Sequence, residues 1–312
     1  MSNLEIIESE TLVSVVVVTY NSAAYVIETL ESIKEQTYEN IELIISDDCS
    51  TDDTVKICKE WLKENSSRFV RTELVTSPKN SGIAPNFNRG IAVAKGEWIK
   101  TIAGDDALLP NTIEAYINHI MQNSDTRVIH SDIAIYKDVF KESQRLPAKP
   151  TSTYTINKPN IEAQEQFQLL LRRCQIWAAT VMIKKEVYDQ VGHFDESLPM
   201  WEDRPMWLKI TGSGIKLTYL NIIGAKYRIS SNSIQTKGAQ TKLYSKFDLD
   251  VNKEFYKRYL HFLPLPERVK KKIKIKRNLL LEKYGLNRRN KLIIAFVATT
   301  NLLLNTLIKD KG

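Results

Sequence analysis

Two pairs of neighbouring aspartates stand out because each follows an apolar run that is typical of a β-strand. Asp47 and Asp48 end one such run, and Asp105 and Asp106 follow another. Adjacent carboxylates repel each other unless a cation or hydrogen-bond donors lie between them. Carboxylate oxygens are also the ligands that hard divalent ions prefer, and such ions bind the diphosphate of nucleotides. The pairs therefore predict a nucleotide and metal site made of side chains at strand ends.

The elements that must position these aspartates alternate between strand and helix patterns. Runs of β-branched and other apolar residues indicate buried strands, and apolar residues recurring every three or four positions indicate helices. This alternation predicts an α/β fold with a Rossmann-like, mostly parallel sheet sandwiched by helices, whose carboxyl edge binds ligands. The predicted strands are 13–19, 41–46, 70–76, 98–102 and 128–135, and the predicted helices are 24–36, 85–94, 110–123 and one from a capping box at 50–53 to residue 65.

Cysteine usage and motif absences exclude several classes of protein. The 312 residues include three cysteines and no CxxC pair, which argues against a disulfide framework or a zinc site. The sequence has neither the GxGxxG dinucleotide motif nor the GxxxxGK[ST] phosphate loop. Residues 1–11 are acidic and carry no apolar signal segment, so we expect an N-terminal leader on a cytoplasmic protein.

Further motifs follow one another along residues 13–233. They are Ser14 to Asn21, Asp47-Asp48-Cys49-Ser50-Thr51-Asp52, Asn80-x-Gly82, Asn88-Arg89-Gly90-Ile91, Gly96-Glu97-Trp98-Ile99, Gly104-Asp105-Asp106, Gly192-His193-Phe194-Asp195-Glu196, Trp201-Glu202-Asp203 and Tyr227-Arg228. In this order they resemble the motifs of family 2 glycosyltransferases. Two departures are visible: Phe87, not arginine, precedes Asn88, and Ser230 and Ser231 stand where many relatives have histidine.

The resemblance implies a GT-A fold and an inverting transfer of sugar from a nucleotide-sugar, expected to be a UDP-sugar. The implied acceptor is a glycan or a lipid-linked molecule, as in the synthesis of O-antigen, capsule or exopolysaccharide. Asp203 would be the catalytic base, and Asp106 would hold Mg²⁺ or Mn²⁺. The implied nucleotide-binding residues are Thr19, Tyr20, Asn21, Asp48, Asn88 and Asp105, and the expected acceptor-side residues are Trp201 and Glu202.

Charge separates a basic C-terminal segment from the rest of the chain. The net charge is +7, yet from Arg268 onward thirteen basic residues face two acidic ones, so the preceding residues carry −4. The expected organisation is a leader at 1–11, a GT-A domain at 12–235 and a helical basic C-terminal extension at 236–312. Within the GT-A domain we expect a nucleotide half at 12–140 and an acceptor half at 150–235.

The C-terminal extension combines two patterns typical of membrane-surface segments. Residues 268–277 are polybasic, which suits anionic headgroups, and residues 292–308 form an apolar stretch that is short for a membrane span. Asn301, Asn305 and Lys309 form a polar stripe, which predicts an amphipathic helix lying on an anionic membrane surface. The protein would then be peripheral on the cytoplasmic face of the membrane. The alternative is a helix packed on the catalytic domain.

Two other functional classes fit parts of the chain. A metal-dependent nucleotidyltransferase also uses paired carboxylates, but its glycine-rich phosphate loop would follow the first strand, where residues 19–23 contain no glycine. A nucleic-acid-binding module could use the basic extension, but no aromatic RNA-recognition motif accompanies it. No nucleic-acid partner is therefore expected.

Overall fold

A computed structural model describes residues 11–198, 201–230 and 242–308 of the chain. It divides into two compact units, the first ending at Ile229 and the second beginning at Ser230. Of the predicted leader, residues 1–10 lie outside the described residues. The expected nucleotide and acceptor halves, at 12–140 and 150–235, stay predictions.

A single sheet runs through the first unit. Its strands are β1 (Val13–Thr19), β2 (Ile41–Asp47), β3 (Arg71–Thr76), β4 (Trp98–Ala103), β5 (Ala107–Leu108), β6 (Val128–Lys137), β7 (Arg145–Leu146), β8 (Met182–Lys184) and β9 (Thr218–Ile229). They lie in the order β3-β2-β1-β4-β8-β6-β9-β5, and β7 pairs with β6. Parallel pairing joins β3, β2, β1 and β4, and also joins β6 to β9, whereas the shorter pairings are antiparallel. The predicted mostly parallel sheet is confirmed.

Helices cover both faces of this sheet because its strand residues are apolar on both sides. Val13, Val15 and Val17 of β1 belong to the hydrophobic core that includes the first helix. Val16 points the other way, toward Gly90, where an added Cβ would lie 2.4 Å from the Val16 Cγ1 atom. The α/β prediction is therefore confirmed. The helices of the first unit are α1 (Val26–Lys34), α2 (Thr54–Asn65), α3 (Ile83–Val93), α4 (Thr112–Gln122), α5 (Ala163–Leu170), α6 (Lys185–Val191) and α7 (Asp203–Gly212).

The carboxyl ends of β1, β2 and β4 meet at one edge of the sheet. The Gly104 nitrogen donates to the Val18 carbonyl at 2.9 Å, and the Asp48 nitrogen donates to the Thr19 carbonyl at 3.0 Å. An added Cβ on Gly104 would lie 2.8 Å from Thr19 Cγ2, so the close approach requires glycine. The two acidic pairs therefore lie on opposite sides of the end of β1.

The second unit is helical within its described residues. Ser245 caps its first helix by accepting a hydrogen bond from the Asp248 nitrogen, which satisfies an N–H that has no partner inside the helix. None of the helices in residues 11–198, 201–230 and 242–308 is both long enough and apolar enough to cross a membrane. The helices are α8 (Lys246–Tyr259), α9 (Leu265–Lys283) and α10 (Lys291–Leu307).

Candidate active site

The first acidic pair is buried at the end of β2 and orders the loops around it. Asp47 Oδ2 accepts hydrogen bonds from Thr19 Oγ1 at 2.8 Å and from Ser50 Oγ at 2.5 Å. The Thr19 side chain is buried as well. Its predicted contact with a nucleotide stays a prediction.

Asp48 is held by four donors. Its carboxylate accepts from the Ser81 nitrogen, the Ser81 hydroxyl, the Gly82 nitrogen and the Arg89 guanidinium, at 2.6 to 3.0 Å. Burial alone would raise the pKa of Asp48, but these hydrogen bonds outweigh it and hold the pKa below the ordinary value. Asp48 therefore stays ionised and fixes the start of α3. Its predicted contact with the nucleotide stays a prediction.

The prediction of a capping box at residues 50–53 is wrong. Ser50 donates to Asp47 instead of capping α2, and Asp53 makes no capping hydrogen bond. The Oδ1 atom of Asp52 accepts a hydrogen bond from the nitrogen of Thr54, the first residue of α2, at 3.0 Å. Because α2 begins only at Thr54, Ser50 lies outside the capping position, and its oxygen accepts from the Asn21 nitrogen at 2.8 Å, which the local sequence pattern does not reveal.

Tyr20 and Asn21 form the rim next to this loop. Tyr20 follows β1 and is 47% exposed. Asn21 has a positive φ of 50°, and its Oδ1 accepts from the Thr51 nitrogen at 2.8 Å. Tyr20 is thus available to an incoming ligand, whereas Asn21 shapes the turn. Nucleotide binding by either residue stays a prediction.

The second acidic pair rests on a buried arginine, Arg228 of β9. The Arg228 nitrogen donates to Asp106 Oδ1 at 3.0 Å, and its Nε donates to the Asp105 carbonyl at 2.9 Å. The guanidinium also donates to the Asp138 carbonyl and to Glu28 Oε2. The ring centroids of Tyr25 and Phe140 lie 4.5 and 3.9 Å from its central carbon, so the cation contacts two aromatic faces.

The second acidic pair is largely buried, and the positive charge around it is too small to keep the pKa values of both carboxyls in their ordinary range. Burial raises the pKa of Asp105, and burial together with the neighbouring Asp105 raises the pKa of Asp106 well above its ordinary value. A fully buried lysine, Lys100, lies close enough to interact with Asp106, and burial lowers its pKa to about 7. Its Nζ donates to the Thr101 and Ala179 carbonyls, each at 2.7 Å. A bound cation would relieve the strain on this pair.

The carboxylate oxygens of the second pair fit a divalent ion that takes most of its ligands from phosphates and water. Asp106 Oδ2 accepts no hydrogen bond within the described part of the chain, and it is an oxygen ligand of the kind that Mg²⁺ and Mn²⁺ prefer. Among those same residues no group of three or more His, Cys, Asp or Glu side chains could hold a metal by itself. Magnesium commonly binds through one or two carboxylates plus phosphates and water.

A third acidic pair, Glu202 and Asp203, lies at the start of α7, and both it and the second pair are close enough to Tyr227 to interact with its phenol. Burial, followed by the charges of all four carboxylates in the second and third pairs, raises the pKa of the Tyr227 phenol to about 12. Asp203 Oδ1 accepts from the Arg204 nitrogen at 2.5 Å, and Cys174 Sγ lies 4.0 Å from Asp203 Oδ2. The structure therefore brings Asp105, Asp106, Glu202 and Asp203 around one tyrosine.

The two members of the third pair titrate differently. Burial and the adjacent Asp203 raise the pKa of Glu202 to about 8, while burial raises the pKa of Asp203 against the opposing effect of Arg204. Near neutral pH the pair therefore holds a proton, and the raised pKa of about 8 places it mainly on Glu202. A carboxylate with a raised pKa is suited to accept a proton.

Asn88 and Trp201 make contacts that sequence reasoning missed. Asn88 Nδ2 donates to the Phe194 carbonyl at 3.0 Å, and its Oδ1 accepts from the Phe194 nitrogen, so Asn88 ties α3 to the segment before α7. The Trp201 ring lies 5.5 Å from the Arg204 guanidinium carbon. The nucleotide role of Asn88 and the acceptor-side roles of Trp201 and Glu202 stay predictions.

Comparison with known proteins agrees with this arrangement. Residues 14–192 match the model of the family described as Glycosyl transferase family 2, which is more than half of the chain. The chain belongs to glycosyltransferase family 2. The family match decides against the nucleotidyltransferase alternative.

Relatives of this family 2 chain come from several bacteria. An uncharacterized glycosyltransferase of Rickettsia felis (strain ATCC VR-1525 / URRWXCal2) is 31% identical over 203 residues, which are 64% of this chain and 31% of that protein. The chain thus matches about a third of that relative's length. A second relative, from Escherichia coli, is 29% identical over 72% of this chain and 79% of its own length. It is named UDP-Glc:alpha-D-GlcNAc-diphosphoundecaprenol beta-1,3-glucosyltransferase WfaP.

The fold is also that of a solved structure. The structure of S. aureus TarS 1-349 in complex with UDP-GlcNAc superposes with a TM-score of 0.60 at 18% identity, covering 83% of this chain and 70% of TarS 1-349. The predicted GT-A fold class is therefore confirmed.

Sequence reasoning assigned no role to the cationic side chains near the acidic pairs. They are Arg89, Lys100 and Arg228. Arg228 is in the Tyr227-Arg228 motif, and Arg89 is in the Asn88-Arg89-Gly90-Ile91 motif. Lys100 lies within a predicted strand, where a lysine among apolar residues is itself a signal of a buried polar partner. Arg89 and Arg228 donate hydrogen bonds to the acidic pairs, and Lys100 lies close enough to interact with Asp106.

We expect Arg228→Lys to destabilise the first unit by about 1–3 kcal/mol, because an ammonium cannot replace the fork that reaches Asp105, Asp138 and Glu28 together. Urea unfolding measures this loss. Arg127→Lys is the matched control, since Arg127 pairs with Glu186 at the exposed surface and should change stability by less than about 0.5 kcal/mol. Equal losses in the two variants would contradict the anchoring role of Arg228.

Proposed function

We propose that the chain is an inverting glycosyltransferase that moves a sugar from a UDP-sugar to a lipid-linked saccharide. The observation that carries this proposal is the meeting of two acidic pairs around Tyr227: one suited to a metal-bound diphosphate, the other to accepting a proton. Family membership supports the reaction class. The E. coli relative is named for a UDP-Glc donor and a GlcNAc-diphosphoundecaprenol acceptor, and TarS 1-349 was crystallised with UDP-GlcNAc; both support the substrate classes.

Asp203 is the proposed base. An acceptor hydroxyl has a high pKa, so a carboxylate must take its proton as the oxygen attacks the anomeric carbon. The bond from that carbon to the diphosphate breaks in the same displacement, UDP leaves, and the configuration inverts. Burial and the neighbouring Asp203 raise the pKa of Glu202 to about 8, so we assign the proton-accepting role to Asp203 and not to Glu202.

Asp106, with Asp105 beside it, is the proposed holder of the divalent cation, and Tyr20 is an exposed residue that would border the nucleoside. A bound Mg²⁺ or Mn²⁺ neutralises the negative charge of the diphosphate. Arg228 fixes both backbone and carboxylate of the pair, so the ligand oxygen is oriented before any nucleotide arrives. Asp48 and Asn21 hold the loop that borders this region.

We predict that UDP raises the melting temperature only when Mn²⁺ or Mg²⁺ is present, because the acidic pair otherwise repels the diphosphate. Asp106→Asn should abolish the metal-dependent part of the shift. Differential scanning fluorimetry measures both effects. Asp138→Asn, outside the acidic pairs, is the control and should keep the parent response. A full metal-dependent shift in Asp106→Asn would exclude Asp106 as the ligand.

We predict that Asp203→Asn loses sugar transfer at pH 7 by about 10² or more, the usual scale for removing a general base. Glu202→Gln is the matched neighbour and should lose only a few-fold, because Glu202 is already mainly protonated at this pH. In the parent, the rate of transfer should fall as the pH falls. The midpoint of this fall should lie above the ordinary pKa of aspartate, because burial raises the pKa of Asp203. A larger loss in Glu202→Gln would reverse the two roles.

A second proposal concerns the membrane, and the exposed leucines of α10 favour it. Leu292, Leu302 and Leu307 are 82%, 68% and 79% exposed. Residues 268–277 of the same unit carry seven basic side chains. Each basic residue near an anionic surface contributes on the order of 1 kcal/mol, which salt weakens, whereas burial of leucine adds a part that salt does not screen. This unit therefore suits attachment to the membrane surface where the lipid-linked acceptor lies.

We predict that the full-length protein sediments with vesicles containing phosphatidylglycerol, and that high salt releases it only partly. Replacing Leu302 and Leu307 together by glutamine should remove the salt-resistant part, because the apolar contact is lost. Asn305→Gln on the same helix is the control and should sediment like the parent. Absence of sedimentation by the parent would refute surface attachment, and binding to a DNA duplex instead would favour the nucleic-acid alternative.

A further inference from the structure

A cavity of about 830 Å³ opens beside β6 in the first unit. Its walls come from residues 132–135 of β6, from the segment that runs from Glu142 to Thr151, from Trp177 and from the bulged part of β9 at residues 221–223. Its volume is in the range of sites that take ligands of several rings. None of the residues assigned above to the donor or to proton transfer lines it.

The outer wall of this cavity is anchored at both ends. At one end β7 pairs with β6, which places Arg145 opposite Tyr136. At the other end the buried carboxylate of Asp132 accepts from the Thr151 nitrogen at 3.1 Å and from the Thr151 hydroxyl, and it also accepts from the Tyr219 hydroxyl at 3.0 Å. The cavity is therefore enclosed by segments that hydrogen bonds hold in position.

The cavity adjoins the two acidic pairs. The Trp177 ring lies 5.8 Å from the ring of Tyr227, the tyrosine that interacts with both pairs. Cys174, three residues earlier, touches Asp203 with its sulfur at 4.0 Å. Three residues span at most about 10 Å, so the segment leads directly from the proposed base to the cavity wall.

The side chains around the cavity have the chemistry that recognises a sugar. Trp177 and Tyr154 supply aromatic rings, whose apolar faces can cover the C–H face of a pyranose. Asn221 and the Glu142–Arg145 pair supply hydrogen-bond donors and acceptors. Asp132 and Glu142 balance Arg145 and Lys149 in charge, so the lining does not select a strongly anionic group. A neutral saccharide fits better than a phosphate or an extended lipid.

We propose that this cavity binds the saccharide of the acceptor, with Trp177 as the stacking platform. The proposal rests on the proposed function and identifies where its second substrate lies. The hydroxyl that attacks would then be presented from the Trp177 side toward Asp203. Trp177, rather than Trp201, becomes the aromatic residue that sets acceptor affinity.

The test is calorimetric titration of the full chain, with UDP and Mn²⁺ present, using α-D-GlcNAc diphosphate that carries a short alkyl chain as the probe. Trp177→Ala and Asn221→Ala should each weaken probe binding by about tenfold, which corresponds to about 1.4 kcal/mol. Trp177→Phe should recover most of the affinity, because an aromatic face remains. Asn221 is exposed, so its variant keeps the experiment valid if Trp177→Ala fails to fold.

Gln168→Ala is the matched control, because Gln168 lines a separate cavity of about 480 Å³ on α5. It should bind the probe and UDP like the parent. UDP affinity, measured in parallel, should stay within about twofold in all variants, since the cavity is apart from the donor residues. Probe affinity unchanged in Trp177→Ala and Asn221→Ala overturns the cavity assignment and leaves the proposed function standing. A parent that binds UDP but not the probe also overturns it, and a parent that binds no nucleotide removes both proposals.

Discussion

Crowding of negative charge around the carboxyl edge of the sheet is the constraint on which the rest of the site depends. Buried carboxylates so close together cost free energy unless each is paired or hydrogen-bonded. Arg89 donates a hydrogen bond to Asp48, and Arg228 donates to the second pair. The charge of Arg204 stabilises the ionised form of Asp203. Each arginine also donates to a main-chain carbonyl, so neutralising the charge also fixes the loops. The carboxylates concerned are Asp47, Asp48, Asp105, Asp106, Glu202 and Asp203.

Hydrogen bonds and positive charge offset the cost of burial fully for some of these carboxylates and only partly for others. This difference separates carboxylates that hold the structure from those that can react. Four donors outweigh the burial of Asp48 and keep it ionised, so it holds the loop before α3 in place. Asp106 and Glu202 are instead held with raised pKa values, because burial and a like charge dominate their surroundings. A carboxylate with a raised pKa is stabilised most by a bound cation or by a shared proton. The donor and proton-transfer roles proposed here follow from that distinction.

Local pattern was enough for the first half of the fold. The β-branched run at Val13–Thr19 and the runs that become β2, β4 and β6 are buried on both faces, and a continuous apolar sequence signals such strands directly. The bulged strand β9 carries no such signal, because most of its residues are half-buried or exposed. Contacts between distant residues are also invisible locally. Arg228 reaches Glu28 across 200 positions, and Asn88 reaches Phe194 across 106, so their positioning roles emerged only from the folded chain.

The C-terminal unit also contains contacts that its sequence pattern does not reveal. The asparagine stripe of α10 suggested a polar face turned to water, yet Asn301 turns inward, where Arg277 of α9 donates to its Oδ1 at 3.0 Å. Arg277 also donates to the Val297 carbonyl, and Val297 is the buried residue of α10. Polar contacts therefore hold α9 and α10 together, and the leucines are left outside. Exposed leucine surface has a favourable free energy of transfer into an apolar phase, so within this unit the helix pairing itself creates the surface suited to a membrane.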